Sequence, residues 1–357
     1  MPASSRWPCS EPPKHAADAL TTTWPSRNLY KRGVNRPRVV IVSPTLADAN
    51  TGNWQTARRW QLLLAPTHTV RITDRWPDGD SVPHDRLMLA LHARRSAPAI
   101  TAWAQAHDGR GLAVVLTGTD LYQDILSDRT AQASLAMAQR LVVLQDLGLA
   151  ALPASHRPQA RVIYQSTSAR QTLAKTDRHL RAVMVGHLRA VKSPQTLMQA
   201  ARLLAGRNDI RIDHIGGALE DDWTEQARAT EAATPYYRWL GALPHARARQ
   251  AIQRAHLLVH TSVMEGGAHV VMEAVRSGTP VLASRVPGNV GMLGADYAGY
   301  FEHGDAGQLA RLIAQCRDEP GNGLLFQLRA QCERRAPLFT PEAERAALLQ
   351  LLKDLMP

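Results

Sequence analysis

The chain carries a series of short, strongly apolar runs that alternate with stretches of helical periodicity. The first run, from Arg38 to Ser43, is rich in β-branched residues, which is typical of a strand buried on both faces. Strands that alternate with helices predict parallel sheets joined by right-handed crossovers. The further candidate strands form two series: 69–72, 86–91, 112–117, 140–144 and 161–164, then 181–186, 210–215, 236–240, 256–260 and 280–283.

Two such series predict two doubly wound α/β domains rather than one oversized sheet. We expect the first domain at residues 37–170 and the second at 171–335, with the polar stretch 167–179 as the linker. Residues 1–36 are rich in Ser, Pro, Thr and Arg without periodicity, which predicts a disordered extension. Ligands of such sheets bind outside the carboxyl ends of the strands, so the cleft between the domains is the expected site.

The charge balance favours anionic ligands, since 42 Lys and Arg stand against 31 Asp and Glu, a formal net charge of +11. The anion could belong to a nucleic acid, a nucleotide or a small molecule, and arginine-rich, alanine-rich chains also occur in GC-rich genomes. The three cysteines form no CxxC pair, which fits a reducing, cytoplasmic location. No apolar run approaches the roughly 18 residues of a membrane span, and the N-terminus lacks a signal-peptide core.

The most specific local pattern is EGGAHVVME, which runs from Glu265 to Glu273 and follows the candidate strand ending at His260. Eight residues separate the two glutamates, so on a helix they lie near one face. Gly266 and Gly267 are expected at the helix start, where free N–H groups bind anions and glycine lets a phosphate approach the backbone. Glu273 is then placed to accept hydrogen bonds from a ribose diol. The alternative is an ordinary helix with an acidic first turn.

A second pattern, VGHLRAVKSP at residues 185–194, combines a strand end, a glycine turn and two bases before a helix. Arg189 and Lys192 are expected beside the same cleft, where they could neutralise a diphosphate. The alternative is a loop whose bases are only solvated. Alone, this pattern is weak evidence for a diphosphate-binding turn. The two glutamates that follow at a suitable distance along the chain strengthen it.

In this order the two patterns resemble the donor domain of the GT-B glycosyltransferases of the large retaining family 4. The resemblance implies two Rossmann-like domains facing across a cleft, with residues 336–357 forming a helix that returns toward the N-terminal domain. It also implies that Lys192 binds the nucleotide diphosphate, Glu265 the sugar hydroxyls and Glu273 the ribose. The same resemblance implies that Gly266 and Gly267 supply backbone N–H donors.

Two donor-side positions depart from the family pattern. His187 stands where the family usually has an arginine, so we assign Arg189 as the substitute cation. Gly52 and Asn53 stand where the family has a Gly-Gly loop near the donor phosphate. His92 ends a candidate strand at the position where the family often places a histidine near the reacting centre. These residues complete the expected catalytic and donor set.

The blocks GNWQTARRW, ALHARRSA and VLTGTDLY together look like the selenosugar synthases of selenoneine biosynthesis, a GT-B branch. The resemblance implies a C–Se bond formed between selenophosphate and the anomeric carbon of a UDP-sugar, UDP-GlcNAc or UDP-glucose. Selenophosphate is already an anion, so it needs a positively charged binding site more than it needs a base. One arginine of each adjacent pair is expected to face inward. The candidate acceptor residues are Arg58, Arg59, Arg94, Arg95, Thr117, Thr119 and Asp120.

The sequence alone leaves other interpretations of His92 and of the function open. His92 could orient the phosphate, stabilise charge or be a buried, hydrogen-bonded histidine. The protein could glycosylate a hydroxyl of a glycan or lipid, epimerise a UDP-sugar, or bind nucleic acid through a degenerate fold. We expect UDP-sugar and selenophosphate as partners, no nucleic acid, no stable membrane association and no catalytic metal. The triplet Asp78-Gly-Asp80 resembles a metal-binding DxD but lies in a turn sequence.

Overall fold

Two six-stranded parallel sheets form the framework of the computed structural model, which describes residues 36–46, 52–79, 82–218 and 221–356. The predicted doubly wound α/β class is therefore confirmed. The extension expected at residues 1–36 lies, but for its last residue, outside the described part of the chain. Within the described ranges, no helix is long and apolar enough to cross a membrane.

The first sheet has the strand order β2-β1-β3-β4-β5-β6. Its central strands are buried on both faces because helices cover each side, which explains their unbroken apolar sequence. Its strands are β1 (Arg38–Val42), β2 (Thr69–Thr73), β3 (Leu87–Leu91), β4 (Leu112–Leu116), β5 (Arg140–Val143) and β6 (Ala160–Val162). Its helices are α1 (Gly52–Leu64), α2 (Ala97–His107), α3 (Ile125–Ser127), α4 (Arg129–Met137) and α5 (Gly148–Ala151).

The second sheet has the order β12-β11-β10-β7-β8-β9. Its strands are β7 (Leu180–Val185), β8 (Ile210–Ile215), β9 (Tyr237–Trp239), β10 (Leu257–His260), β11 (Val281–Ser284) and β12 (Tyr300–Phe301). Its helices are α6 (Pro194–Leu203), α7 (Asp221–Ala233), α8 (His245–Arg254), α9 (His269–Val275), α10 (Pro287–Leu293), α11 (Ala306–Asp318) and α12 (Leu324–Arg335). The sequence did not predict β12, because two residues are too short a run to show periodicity.

The last helix, α13 (Pro341–Leu355), packs on the first sheet rather than on the second, which precedes it in the chain. Its apolar face, which includes Leu348 and Leu352, joins a buried cluster with Trp60 and Leu64 of α1. The helix α13 therefore lies against the half of the structure that contains β1, although it follows the second half along the chain.

Both sheets contain a point where the strand order reverses direction. In the first sheet the reversal lies between β1 and β3, and in the second between β7 and β10. Ligands of open α/β sheets bind outside the carboxyl ends of the strands at such points. The segments that follow these four strands carry Gly52, His92, Lys192 and Glu265, so the topology brings these residues of the predicted site to the carboxyl edges of the two sheets.

Candidate active site

At the reversal point of the second sheet, a carboxylate contacts a lysine and lies beside a histidine. Glu265 lies in the loop after β10, and its Oε1 contacts Nζ of Lys192 in the loop after β7. Nε2 of His260, the last residue of β10, lies 3.1 Å from the same oxygen. Burial alone would raise the pKa of Glu265, but Lys192 and His260 hold this pKa well below its usual value. The structure therefore keeps a carboxylate and an ammonium ion together at the expected diphosphate end of the cleft.

The two glycines after Glu265 lie where the halves of the structure touch. A Cβ added to Gly266 would lie 2.3 Å from the backbone oxygen of Thr117, in the loop after β4. A Cβ added to Gly267 would lie 3.0 Å from Cβ of Leu144, in the loop after β5. Glycine is required at position 266 because the two loops meet there backbone to backbone, whereas Gly267 packs closely against the Leu144 side chain.

The helix after these glycines begins later than the sequence predicted. The helix α9 starts at His269, and Ala268 before it has φ −80° and ψ 105°, which is not helical. Gly266 and Gly267 therefore belong to the loop against the first half rather than to the helix start. Their N–H groups remain at the edge of the site as loop donors, without the full helix end that the pattern suggested.

A substitution at Gly266 tests the contact between the halves. We expect Gly266→Ala to weaken UDP binding about tenfold, because its methyl group must push the loop after β4 away and so shift the neighbouring N–H groups. Titration calorimetry with UDP measures the effect. Gly206→Ala, where the added carbon meets nothing within 4 Å, is the control. Equal UDP affinity in both variants would show that this contact does not shape the donor site.

Glu273 lies in the second half of α9 and is buried. Its Oε1 accepts a hydrogen bond from Nε2 of His245 at 2.6 Å, and Nε of Arg249 lies 3.8 Å away. Both partners lie on α8, a helix that the donor patterns do not include. The predicted ribose ligand therefore has a side-chain neighbour that a bound ribose would have to replace or share.

The other residues predicted to bind the sugar donor are more exposed than Lys192 and Glu265. His187 and Arg189 are exposed in the turn after β7, so Lys192 is the member of this basic turn that reaches Glu265. Gly52 is the first residue of α1 and has open space around it, with Asn53 half-buried beside it. The segment before Gly52, which would carry the phosphate loop, lies outside the described residues.

His92 occupies the corresponding reversal point of the first sheet. It directly follows β3, is 2% exposed and has a positive φ of 75°, a conformation that a non-glycine residue adopts at an energetic cost. Nδ1 lies 3.3 Å from the backbone nitrogen of Arg95, and Nε2 lies 3.2 Å from Oγ1 of Thr119. Because a backbone N–H can only donate, Nδ1 accepts, and Nε2 carries the ring hydrogen of the neutral imidazole.

The charges around His92 are balanced. Burial lowers its pKa, the carboxylates Asp120 and Asp124 oppose that effect, and the guanidinium groups of Arg95 and Arg94 add to it. Nε of Arg94 lies 3.2 Å from Oδ2 of Asp124. His92 is therefore a neutral hydrogen-bond donor at neutral pH, with two exposed arginines beside it.

Asp120 is not a free acceptor ligand, which corrects the expectation from the sequence. Its carboxylate is fully buried and accepts hydrogen bonds from the backbone N–H groups of Ala93, Thr117 and Gly118, at 3.0, 2.8 and 2.9 Å. All of this hydrogen-bonding capacity is turned toward the protein. Asp120 therefore ties the His92 loop to the loop after β4 and begins a single π-helical turn, a feature that is frequent at functional sites.

The two arginines of α1 point in different directions, as the helical geometry requires. Arg58 is exposed and donates to Oε1 of Gln61 on its own helix, which removes it from the cleft. Arg59 is turned inward and donates through Nε to Glu344 of α13. Of this pair, only Arg59 stays a candidate for binding substrate.

Several residues of the site gave no usable sequence signal. Asp124 and His260 lie close to the predicted motifs but carry no distinguishing spacing, and His245, Arg249 and Glu344 come from remote helices. Among the residues that the structure describes, no group of three or more His, Cys, Asp or Glu could hold a metal ion. Asp78 of the DxD-like triplet pairs with Arg71, whereas Asp80 lies outside the described residues.

Residues 165–338 match the family model described as "Glycosyl transferases group 1". The fold is similar to Anabaena HepE solved with UDP and glucose, at 16% identity and a TM-score of 0.66 over 89% of this chain and 100% of that chain. It is also similar to sucrose-phosphate synthase from Thermosynechococcus elongatus, at 17% identity and a TM-score of 0.69 over 90% and 99%. At these identities the likeness establishes the GT-B fold.

Proposed function

We propose that the protein transfers a sugar from UDP-GlcNAc or UDP-glucose to selenophosphate, since residues 165–338 match the model of the group 1 glycosyl transferases and the chain has the GT-B fold. The second half binds the nucleotide sugar, and the first half binds the selenium donor. The product is a selenosugar of the kind that selenoneine biosynthesis uses. The acceptor assignment depends above all on the neutral, hydrogen-donating state of His92.

The donor side of the proposal is supported by the contacts of Glu265. HepE has been solved with UDP-glucose, which makes a uridine nucleotide a reasonable ligand for the same fold. Lys192 would neutralise the diphosphate, and Glu265 would accept hydrogen bonds from the sugar hydroxyls. Glu273 would accept from the ribose, and the loop N–H groups of Gly266 and Gly267 would donate to phosphate oxygens.

The acceptor side is supported by the hydrogen bonds of His92. A hydroxyl acceptor must lose its proton as it attacks, and a histidine that takes this proton needs a free nitrogen lone pair directed at the hydroxyl. Nδ1 of His92 already accepts from Arg95, and Nε2 carries the hydrogen. This imidazole suits an acceptor that arrives as an anion, since Nε2–H can donate to it while Arg94 and Arg95 supply positive charge.

The reaction then needs no protein base. The selenium electron pair forms the C–Se bond at the anomeric carbon, the C–O bond to UDP breaks, and its electron pair leaves with UDP. Water subsequently cleaves the P–Se bond and releases phosphate and the selenosugar. Lys192 stabilises the charge that develops on the departing diphosphate. The close contact of Gly266 with Thr117 limits the access of water to the donor.

The decisive experiment measures turnover of the purified protein with UDP-GlcNAc and UDP-glucose, each with and without selenophosphate. UDP release and selenium-containing sugar are followed by mass spectrometry. We expect release of UDP only when selenophosphate is present, together with a sugar product that contains selenium. Turnover with a glycan or lipid hydroxyl, and none with selenophosphate, would reject the proposal in favour of an ordinary glycosyltransferase.

A variant of His92 distinguishes a hydrogen-bond donor from a general base at this position. We expect His92→Asn to lower kcat/KM for selenophosphate by about tenfold, because asparagine tolerates the positive φ and keeps an N–H donor. A lost general base would instead cost about 10²–10⁴-fold. The pKa of His92 lies below 6.5, so above that pH the wild type and the variant should share one pH dependence. A rate limb above pH 6.5 that disappears in His92→Asn would contradict this role.

A further inference from the structure

A buried carboxylate on the last helix accepts hydrogen bonds from two separate segments of the chain. Glu344 of α13 is 1% exposed, and Nε1 of Trp60 donates to it at 2.7 Å. The backbone N–H and the hydroxyl of Ser166 donate to Oε2 at 2.8 and 2.5 Å. Nε of Arg59 lies 2.8 and 3.1 Å from the two carboxylate oxygens. Glu344 therefore joins α1 to the connection that leads from the first sheet into the second.

This arrangement leaves part of Arg59 unused. Its side chain is 18% exposed, and its Nη2 is buried without a hydrogen-bond partner among the described residues. A buried guanidinium N–H that lacks a partner is costly, so native structures keep few of them. Nε is committed to Glu344, and the guanidinium is planar, so the carboxylate sets the direction in which Nη2 points.

The face of α1 that carries Arg59 lies close to the donor loop. Nε2 of Gln165, the residue before Ser166, donates at 2.5 Å to Oγ1 of Thr56, which precedes Arg59 by one turn of α1. Oε1 of the same glutamine lies 3.4 Å from the position of a Cβ added to Gly267. Burial lowers the pKa of His269 to about 3, and the charge of Arg59 is the largest contribution to that shift after burial. His269 is the first residue of α9 and follows Gly267 by two positions. The charges of Glu265 and Lys192 contribute to the same shift, so His269 lies within the electrostatic reach of both halves of the structure.

We propose that Glu344 is a positioning residue that directs Arg59 of the first half toward a phosphate group held at the Gly266–Gly267 loop of the second half. Arg59 donates Nη2–H to a phosphate oxygen, and Lys192 neutralises the group from the opposite side. The phosphate belongs either to the nucleotide diphosphate or to selenophosphate, an identification that rests on the proposed function. The site is thus completed by one residue from each half and by a third residue at the end of the chain.

The test uses Arg59→Lys, Glu344→Gln and the double variant, with Glu342→Gln as the matched control on the exposed face of α13. Titration calorimetry with UDP measures one phosphate source, and the KM for selenophosphate measures the other. We expect each single variant to weaken one of these by about ten- to hundredfold while kcat changes less than about threefold. Because Glu344 acts through Arg59, the double variant should bind no more weakly than Arg59→Lys alone.

A purely structural role gives a different pattern. Glu344→Gln would then lower the unfolding temperature and leave both UDP affinity and the KM for selenophosphate unchanged, which would overturn the proposal. If Glu344→Gln fails to fold, Arg59→Lys tests the proposal instead, because lysine keeps the positive charge beside Glu344 but lacks the Nη nitrogens. Unchanged binding in Arg59→Lys also overturns it. The UDP titration needs no turnover, so a wild type that binds UDP but makes no selenosugar refutes the proposed function alone.

Discussion

Replacing Lys192 by methionine is expected to reduce kcat/KM for the UDP-sugar by about 10²–10³-fold, the largest catalytic loss of any single change considered. Two effects combine. The leaving diphosphate loses the cation that stabilises its developing charge, and Glu265 loses the ammonium that contacts its carboxylate in a buried setting. Methionine is unbranched like lysine and only one heavy atom shorter, so packing changes little. Steady-state release of UDP measures the loss.

The control for this substitution is Lys353→Met, which removes a positive charge from the exposed face of α13. Its kinetics should match the wild type, because this exposed lysine contributes only to the net charge. If Lys192→Met retains more than about a tenth of the wild-type kcat/KM, then Lys192 does not face the leaving group, and its role is confined to Glu265.

The largest effect on stability is expected from Gly216→Ala. Gly216 directly follows β8 with φ +154°, and an added Cβ would lie 1.8 Å from the backbone oxygen of Gly186 at the end of β7. Neither backbone segment can yield without breaking the register of two paired strands. Overpacking and a strained φ together should cost about 3 kcal/mol or more of unfolding free energy. Urea denaturation measures the change.

Gly206→Ala again serves as the control, since its added carbon meets nothing within 4 Å. The substitution at Gly216 should also weaken UDP binding in whatever fraction folds, because displacement of Gly186 moves the turn that carries Lys192. A free energy of unfolding within about 0.5 kcal/mol of the control would mean that the two strand ends separate more easily than their contact indicates.

The predictability of the fold follows from how its strands are encoded. A strand buried on both faces must be apolar throughout, so β3 and β4 each show as a continuous apolar run that can be recognised without knowledge of the neighbouring strands. The strand β12 has two residues and lies at an edge, so no local pattern marks it. The start of α9 was misjudged because contacts with the other half, not local preference, keep Gly266 and Gly267 out of the helix.

The same distinction separates the parts of the site. Motif spacing was enough to bring Lys192 and Glu265 together, because both follow strands at one reversal point of one sheet. The role of Asp120 was misread, since a carboxylate after a strand looks the same in the sequence whether it binds a substrate or three backbone N–H groups. Which arginine of α1 turns inward also depends on what packs against that helix.

By itself, the sequence determined the two α/β sheets and the residue types at their carboxyl ends, because burial of a strand and the turn that follows it are local properties of the chain. Only the tertiary structure decided that Arg59 meets Glu344, 285 residues further along, and that His92 presents a hydrogen rather than a lone pair. Such pairings depend on how the last helix returns and on which backbone groups surround a side chain. They are set by packing in three dimensions, which no spacing along the chain encodes.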